Sequence, residues 1–319
     1  MRPDGRSFSV QALFAGSATC LPAPQLAGVA PSLTRFGAVS LESASPMNKV
    51  SIMPARLLIA LLLASFAATA QDRFEIQVYD TEVAEPGRLG LELHTNYVIK
   101  GSRATSPDGE LPTEHVLHAT LEPHLGVLGW GELGGYLQTA LRPDGSFDYA
   151  GVKLRFKARW PEKFLGDRLG LAINFELSRV PAAYEPNVWG SEIRPAIDLR
   201  LGPFYGSINP IIATDLQGAQ AGRPQFEPAL KLALFARPAL SVGGEYYAAL
   251  GPLDGLLPAA EQNHRLYGVV DFGGDYFDFN LGLGRGFGTA EPWVAKAIIG
   301  IHPPRSPPSQ TPSPDPQRR

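Results

Sequence analysis

A row of four basic side chains is the feature of this sequence most able to do chemistry. The segment GVKLRFKARW (151–160) places Lys153, Arg155, Lys157 and Arg159 at every second position. Alternate residues of a β-strand share one face, whereas in a helix the same residues would spread around the axis. The spacing therefore predicts a strand with one basic face. Because neighbouring side chains on that face are about 7 Å apart, the like charges repel and need partners of opposite charge.

Acidic partners are available on the polar faces of neighbouring predicted strands, namely Glu92, Glu122, Glu132 and Glu176. Two interpretations stay open: a structural ladder of ion pairs that fills a barrel, or a pore lining that attracts anions. The further candidate lumen-lining residues on these polar faces are His94, His124, Arg194, Asp198 and Arg200. The net charge of −3 argues against nucleic-acid binding, which requires a strongly basic surface.

Histidines beside these glutamates raise the question of a metal site. Imidazole and carboxylate groups suit zinc or copper, and the polar faces carry His94, His118 and His124 with Glu92 and Glu122. Hydrogen-bonded lumen histidines are the favoured interpretation, so we predict no metal. We also predict no catalytic residue and no cofactor. The serines lie outside nucleophile motifs, and no helical pattern follows the glycine-rich segment GLGRG (282–286).

The elements that position these residues are blocks of about ten residues with alternating apolar and polar positions, typical of membrane-barrel strands. The clearest blocks are 88–99, 116–125, 151–160, 169–180 and 192–201, and the weaker ones are 130–141, 204–214, 226–236, 240–250, 265–272, 276–283 and 293–302. Long polar loops tend to alternate with tight turns between them. We therefore predict an all-β fold, an antiparallel transmembrane β-barrel of about 12 strands (roughly 10–14), over residues 88–302.

A soluble β-sandwich or lipocalin-like binding barrel would show the same alternation with its apolar face turned inward. Strand length and loop asymmetry favour the membrane barrel. The 319-residue chain is 44% apolar, which excludes charged disorder, and its single cysteine, Cys20, excludes a disulfide framework. Aromatic residues near strand ends are expected to form interfacial girdles: Tyr79, Tyr97, Trp130, Tyr149, Trp160, Trp189, Phe204, Tyr267, Tyr276 and Trp293.

The segment MNKVSIMPARLLIALLLASFAATA (47–70) predicts a signal peptide. It has a positive start, an apolar stretch and an Ala68-Thr69-Ala70 cleavage site, so the mature chain is expected to begin near Gln71. Residues 1–46 are interpreted as a disordered upstream extension, with the true start at Met47. Residues 71–87 are predicted to form a periplasmic N-terminal segment. The Pro-rich residues 303–319 are predicted to form a disordered tail.

Four segments resemble the outer-membrane β-barrel proteins of Gram-negative bacteria: GRLGLELHTNYV (87–98), GWGELGGYLQTAL (129–141), GVKLRFKARW (151–160) and GLAINFELS (170–178). They are similar in style to transporters of the phenol-degradation-pathway outer-membrane family. The resemblance implies an outer-membrane pore or channel. Its motifs are barrel patterns, and the chain departs from many such barrels because its tail follows Ile301 and His302 in place of a terminal aromatic residue.

The sequence thus predicts a barrel in the cell outer membrane that passes small molecules passively and is not an enzyme. Its expected partners are outer-membrane lipid, small-molecule solutes and the barrel-assembly machinery, with no nucleic acid. The alternatives are a non-conducting structural or adhesive barrel, a soluble periplasmic lipocalin-like barrel, and a barrel enzyme acting on lipid or peptide.

Overall fold

The structure is a computed structural model that describes residues 72–274 and 276–302. Three predicted parts of the chain lie outside the described residues and stay predictions. These are the upstream extension (1–46), the signal peptide (47–70) with its cleavage site at Ala68, Ala70 and Gln71, and the Pro-rich tail (303–319).

The described residues form β-strands joined by turns and loops. The strands are β1 (Leu89–Lys100), β2 (Leu117–Leu128), β3 (Gly131–Leu141), β4 (Phe147–Arg159), β5 (Leu169–Arg179), β6 (Trp189–Leu201), β7 (Phe204–Asn209), β8 (Ile212–Asp215), β9 (Gln225–Phe226), β10 (Ala229–Arg237), β11 (Leu240–Ala249), β12 (Gly251–Pro252), β13 (Asn263–Gly273), β14 (Phe277–Gly288) and β15 (Trp293–Ile301). Among the described residues, no helix is long and apolar enough to cross a membrane.

Three barrel strands are each interrupted once, so the strands make a barrel of twelve. The breaks fall at Pro210-Ile211 between β7 and β8, at Glu227-Pro228 between β9 and β10, and at Leu250 between β11 and β12. Proline has no amide hydrogen to donate to a neighbouring strand, which explains two of the breaks. Pairing continues across them, because Glu227 N donates to Ile211 O and Leu250 N donates to Phe226 O.

The sheet closes on itself. Each strand pairs antiparallel with its neighbour around the ring, and β1 pairs with β15 from Leu91 opposite Ile301 to Lys100 opposite Trp293. The connections 101–116, 180–188, 216–224 and 253–262 lie at one end, the long-loop end, and the tight turns 129–130, 202–203 and 238–239 lie at the other, the short-turn end. The predicted all-β antiparallel barrel is confirmed.

The barrel wall is apolar outside and polar inside. On β4, Leu154 is 68% exposed, whereas its neighbours Lys153 and Arg155 are each 6% exposed. The same inversion recurs around the ring, for example at Leu133, Leu232 and Leu281. Such a surface needs lipid and not water around it. The protein is an outer-membrane barrel, and the soluble lipocalin-like alternative is wrong because that fold turns its apolar face inward.

Aromatic side chains border the apolar surface at both ends of the barrel. The exposed ones are Trp130, Trp160, Phe204 and Tyr276 at the short-turn end and Tyr97, Tyr149, Trp189 and Trp293 at the long-loop end. Such positions suit amphipathic rings at the level of the lipid headgroups. The prediction is wrong for two residues, because Tyr79 and Tyr267 are buried inside the barrel and do not face lipid.

Residues 72–86, which we call the luminal segment, lie inside the barrel. At the long-loop end, Arg73 pairs with Glu110, and the Phe74 ring packs against Tyr184 at 5.6 Å. At the short-turn end, the segment joins β1, where Gly87 N donates to Gly126 O over 2.7 Å. The sequence prediction placed these residues in the periplasm. The structure differs because charged and apolar side chains of the segment find matching partners on the inner wall.

Candidate functional site: the occupied barrel lumen

The basic row on β4 faces the lumen. Lys153, Arg155 and Lys157 are buried, and Arg159 is half-buried near the short-turn end. The alternation of the strand dictates this arrangement, since the residues between them turn outward to lipid. Every member of the row lies close to at least one carboxylate.

Arg155 is held by the barrel wall itself. Its Nη2 atom lies 2.7 Å from Glu122 Oε1 on β2 and 2.7 Å from Glu132 Oε1 on β3. All three side chains are buried. The attraction between one guanidinium and two carboxylates offsets much of the cost of burying these charges. If any one of the three side chains is removed, the remaining buried charges lose their partner.

His94 extends this cluster toward β1. Its Nε2 atom lies 2.9 Å from Glu122 Oε2 and 3.4 Å from Glu92 Oε2. Glu92 and Glu122 stand directly opposite each other on paired strands, a position in which like charges repel. The imidazole lies within reach of both carboxylates and reduces that repulsion when it carries a proton.

Among the described residues, Glu92, His94 and Glu122 form a group that could hold a metal ion. One ligand atom each from Glu92, His94 and Glu122 lies within 4.8 Å of the others. His94 pairs with both glutamates, and Glu122 also pairs with Arg155. The expectation of no metal stays a prediction. His118 packs its ring edge-on to Phe74, with ring centroids 4.7 Å apart. His124 lies along the lumen wall beside Gly90, and neither joins the trio.

The luminal segment partners the other basic residues. Lys153 contacts Asp72 and lies 3.4 Å from Glu176 on β5. Arg194 on β6 lies 3.3 Å from Glu75 of the segment. It also lies 2.7 Å from Glu192, a residue that sequence reasoning did not select.

Tyr79 connects the segment to several walls at once. Its hydroxyl donates to Glu75 over 2.5 Å and contacts the hydroxyl of Tyr136 on β3. The Arg194 guanidinium lies 4.3 Å from the centre of the Tyr79 ring, a distance suited to cation–π attraction. These contacts fill the middle of the lumen.

Nearer the short-turn end, the segment supplies carboxylates to three cations. Lys157 lies 3.1 Å from Asp80, and Lys163 in the β4–β5 turn lies 2.5 Å from Glu82. Arg159 lies 3.6 Å from Glu82. These pairs are more exposed than those of Lys153, so each contributes less to stability.

Two further predicted residues lie on this part of β6. Asp198 accepts hydrogen bonds from the backbone N and hydroxyl of Thr81, over 2.9 and 2.8 Å. Arg200 is exposed at the strand end, with its guanidinium 4.1 Å from the centre of the Phe235 ring.

A second charge cluster lies on the opposite wall, and sequence reasoning missed it. Glu245 on β11 contacts Lys296 on β15 and lies 3.1 Å from Lys231 on β10. Lys231 also lies 2.6 Å from Asp271 on β13. The signal was present, since all four residues occupy polar positions in the weaker alternating blocks.

The wall also binds the backbone of the segment. Asn209 on β7 accepts a hydrogen bond from Tyr79 N over 2.7 Å and donates one to Tyr79 O over 3.0 Å. Ser207 donates to the same carbonyl over 2.6 Å. On the opposite side, Lys296 Nζ donates to Ile76 O over 2.8 Å and Asn96 Nδ2 donates to Arg73 O over 3.0 Å.

The apolar residues of the segment pack on a separate part of the wall. Ile76 and Val78 are buried in a cluster with Tyr247 and Tyr267, and Val98 on β1 belongs to the same cluster. Phe74 packs in a second cluster beneath the loops. Residues 74–79 of the segment are therefore amphipathic, with the period-two alternation of an extended chain.

Glycines permit the close approach of the segment to the wall. A Cβ at Gly126 would stand 2.2 Å from Glu85 O, and a Cβ at Gly170 would stand 2.1 Å from Thr81 Oγ1. Real side chains do not tolerate such distances. The wall is shaped to hold a chain at these two points.

Two cavities flank the occupied part of the lumen. One has a volume of about 1060 Å³ at the short-turn end and is lined by Lys157, Arg159, Asp198 and Arg200 among others. The other is small, about 90 Å³, and lies at the long-loop end beside Asp72, Glu185 and Glu192. The larger cavity is a vestibule that stops at the segment.

Two loop carboxylates at the long-loop end have shifted acidities. Burial, with the nearby charge of Asp72, raises the pKa of Glu185 to about 8. Burial opposes ionisation of Glu291 as well, but the charges of Arg265 and Arg73 outweigh it and lower its pKa to about 2. The loops therefore carry one carboxyl group that is readily protonated and one that is firmly ionised.

Three serines on barrel strands, Ser207, Ser241 and Ser178, lie outside any nucleophile motif. Ser207 binds the segment carbonyl, and Ser241 Oγ donates to Asp271 over 2.9 Å. Ser178 lies on β5 opposite Gly190, where an added Cβ would stand 2.8 Å from the serine hydroxyl oxygen. The contacts of the first two hydroxyls are those of structural hydrogen-bond donors.

No protein-family model matches the chain, and no curated protein matches it. Among solved structures, the COG4313 outer membrane channel from Pseudomonas putida F1 is 10% identical with a TM-score of 0.49, over 72% of this chain and 100% of that chain. The KdgM porin is 6% identical with a TM-score of 0.45, over 66% and 98%. The NanC porin is 9% identical with a TM-score of 0.43, over 66% and 98%.

These similarities are too weak to assign a solute or a mechanism. The specific resemblance to the phenol-degradation-pathway family is not confirmed by them. The membrane location follows from the outer surface of the barrel, and the function has to be argued from the lumen.

Proposed function

We propose that the protein is an outer-membrane pore for small solutes whose lumen is closed by its own luminal segment. The observation that carries the proposal is that residues 72–86 cross the lumen and bind strands on opposing walls, from Asn96 on β1 to Asn209 on β7 and Lys296 on β15. Solutes pass only when the segment shifts. The role is one of transport and not of catalysis.

The lumen is suited to a segment that leaves and returns. The ion pairs that Asp80 and Glu82 make at the short-turn end are exposed, and water can replace them at modest cost. Within the described residues, the segment joins the barrel covalently only through β1. The vestibule of about 1060 Å³ already reaches it from the short-turn end.

A reversible lock tests the proposal. An ideal Cβ at Gly170 lies 3.0 Å from the Thr81 Cβ, so a small shift brings a cysteine pair to the usual disulfide separation of about 3.5–4.5 Å. Cys20 is the sole cysteine of the sequence, so a chain expressed from Met47 has no competing thiol. We expect the Thr81→Cys/Gly170→Cys barrel in a planar lipid bilayer to conduct when reduced and to be silent when oxidised.

The controls distinguish conductance through the barrel lumen from non-specific leakage of the bilayer. Each single cysteine variant should show no change with the redox state. Neutralising Lys157 and Arg159, whose carboxylate partners lie on the segment, should lower the anion preference of the open pore. A reduced barrel without lasting conductance would contradict the proposal.

The second candidate is a non-conducting structural barrel. The arrangement of Arg155, Glu122 and Glu132 favours it, because all three members of these ion pairs belong to the wall. Silence in both redox states, with a folded barrel that migrates faster unheated than boiled, would support this candidate. Contact with lipid through the apolar face belongs to both candidates, as does assembly by the barrel-assembly machinery.

A further inference from the structure

The luminal segment has the chemistry of a bound ligand. It is extended, with carboxylates at Asp72, Glu75, Asp80 and Glu82, and each carboxylate has at least one cation of the wall within 4.0 Å. The alternate residues Phe74, Ile76 and Val78 are buried against apolar clusters. The wall therefore recognises an extended chain that carries several carboxylates and that has apolar side chains at alternate positions over residues 74–78.

The wall recognises the backbone as well as the side chains. Asn209 contacts both the N–H and the carbonyl of Tyr79, which requires a peptide group of defined direction. Lys296, which is buried, donates to the carbonyl of Ile76. A sugar chain could meet the cations with carboxylates, but it has no apolar side chains to fill the clusters that bury Ile76 and Val78, so the contacts favour a peptide.

Three cations depend on the segment for a charged partner. Among the ion pairs of the described residues, Lys157 pairs with Asp80, and both Arg159 and Lys163 pair with Glu82. When the segment moves away, these cations face the vestibule without partners. They then attract another chain of negative charge.

We propose that the lumen binds an extended acidic peptide, with apolar residues at alternate positions, in place of its own segment. The proposal deepens the proposed pore function by naming its ligand class, and it rests on the same displacement of the segment. The linked segment competes at a high effective concentration, so an outside peptide binds well only when the segment is weakened or displaced.

The test measures binding rather than conductance. The probe is a fluorescent peptide, DRFEIQVYDTEVAEP, with the sequence of residues 72–86. It is added to the full Thr81→Cys/Gly170→Cys chain in detergent, and fluorescence anisotropy is followed. We expect binding to the reduced chain and at least about 30-fold weaker binding to the oxidised chain, in which the lock retains the segment.

Two control peptides test what is recognised. One carries Asp72→Asn, Glu75→Gln, Asp80→Asn and Glu82→Gln, and it should bind at least about 30-fold more weakly because the wall cations are then left unpaired. The other is a scrambled peptide of the same composition, which should also bind more weakly because the alternation is lost. Equal binding of the neutral or scrambled peptide would overturn the proposal.

A second variant tests the same proposal if the cysteine pair does not form a disulfide or does not fold. The full chain with Asp80→Asn and Glu82→Gln keeps Thr81 and Gly170 but holds its segment less firmly. It should bind the acidic peptide at lower concentration than the unsubstituted chain does. Conductance that opens on reduction without peptide binding in either variant would sink the ligand proposal and leave the pore standing, whereas binding without conductance would do the opposite.

Discussion

Gly170 on β5 lies directly against Thr81 of the luminal segment, and a Cβ on the glycine would stand 2.1 Å from the threonine hydroxyl oxygen. The same Cβ would stand 2.6 Å from Asp198 Oδ1, and the Asp198 carboxylate accepts two hydrogen bonds from Thr81. One missing side chain therefore decides whether the segment can reach its acceptor on β6.

Gly170→Ala should displace the short-turn half of the segment. Overpacking of about 1–3 kcal/mol favours the open form, so cleavage within residues 80–86 by added protease should become roughly 10- to 100-fold faster. The matched control is Gly268→Ala on β13, since a Cβ there meets nothing within 4 Å. Equal cleavage of the two variants would contradict the close approach.

Arg155→Met should destabilise the barrel strongly. Glu122 and Glu132 would stay buried without their shared cation, at a cost of about 3–5 kcal/mol in the free energy of unfolding. Arg159→Met is the control, because Arg159 is half-buried with a single pair at 3.6 Å, and it should cost under about 1 kcal/mol. Urea titration in lipid vesicles measures both, and similar costs would refute the special role of Arg155.

The stability of the loop end should fall as the pH rises from about 4.5 to about 8. The pKa of Glu185 is about 8 in the folded chain against an ordinary 4.5, so folding takes up a proton between these values. The melting temperature at pH 5 should therefore exceed that at pH 8, and Glu185→Gln should reduce the difference. Glu162→Gln in an exposed turn is the control, and an unchanged difference in Glu185→Gln would contradict the assignment.

Leu154→Arg should weaken insertion into the bilayer. Leu154 lies in the middle of β4 and points to lipid, where a cation costs about 2–4 kcal/mol. The matched variant is Phe147→Arg at the end of the same strand, which should cost only about 0–1 kcal/mol. Unfolding titrations in vesicles compare the two, and equal costs would argue against a membrane-spanning β4.

Local sequence was enough to predict the barrel. On β4, period-two alternation places Lys153 and Leu154 on opposite faces without any knowledge of the partner strands. The breaks near Pro210 and Pro228 move the strand boundaries away from the predicted ones. They leave the order of the strands in the ring unchanged, because pairing resumes beyond each proline. Alternation alone could not tell the inside from the outside, and exposure of the leucines settled it.

The contents of the lumen could not be predicted in the same way. The contact between Asp72 and Lys153 joins residues far apart in the sequence, and so does the contact of Tyr79 with Asn209. A pairing of this kind depends on the register of many strands, which no local pattern encodes. Residues 74–79 do alternate, and their one acidic residue, Glu75, lies 3.7 Å from Lys153 of the basic row. The signal was therefore present in the sequence, but the strand that it pairs with could not be identified.

The luminal segment is connected directly to the seam that closes the ring. The luminal segment is attached to β1, and β1 is one of the two strands whose pairing with β15 completes the circle. A force that displaces the segment is therefore transmitted along the chain to the strand that closes the ring. The seam between β1 and β15 is the part of the wall most directly exposed to movement of the segment.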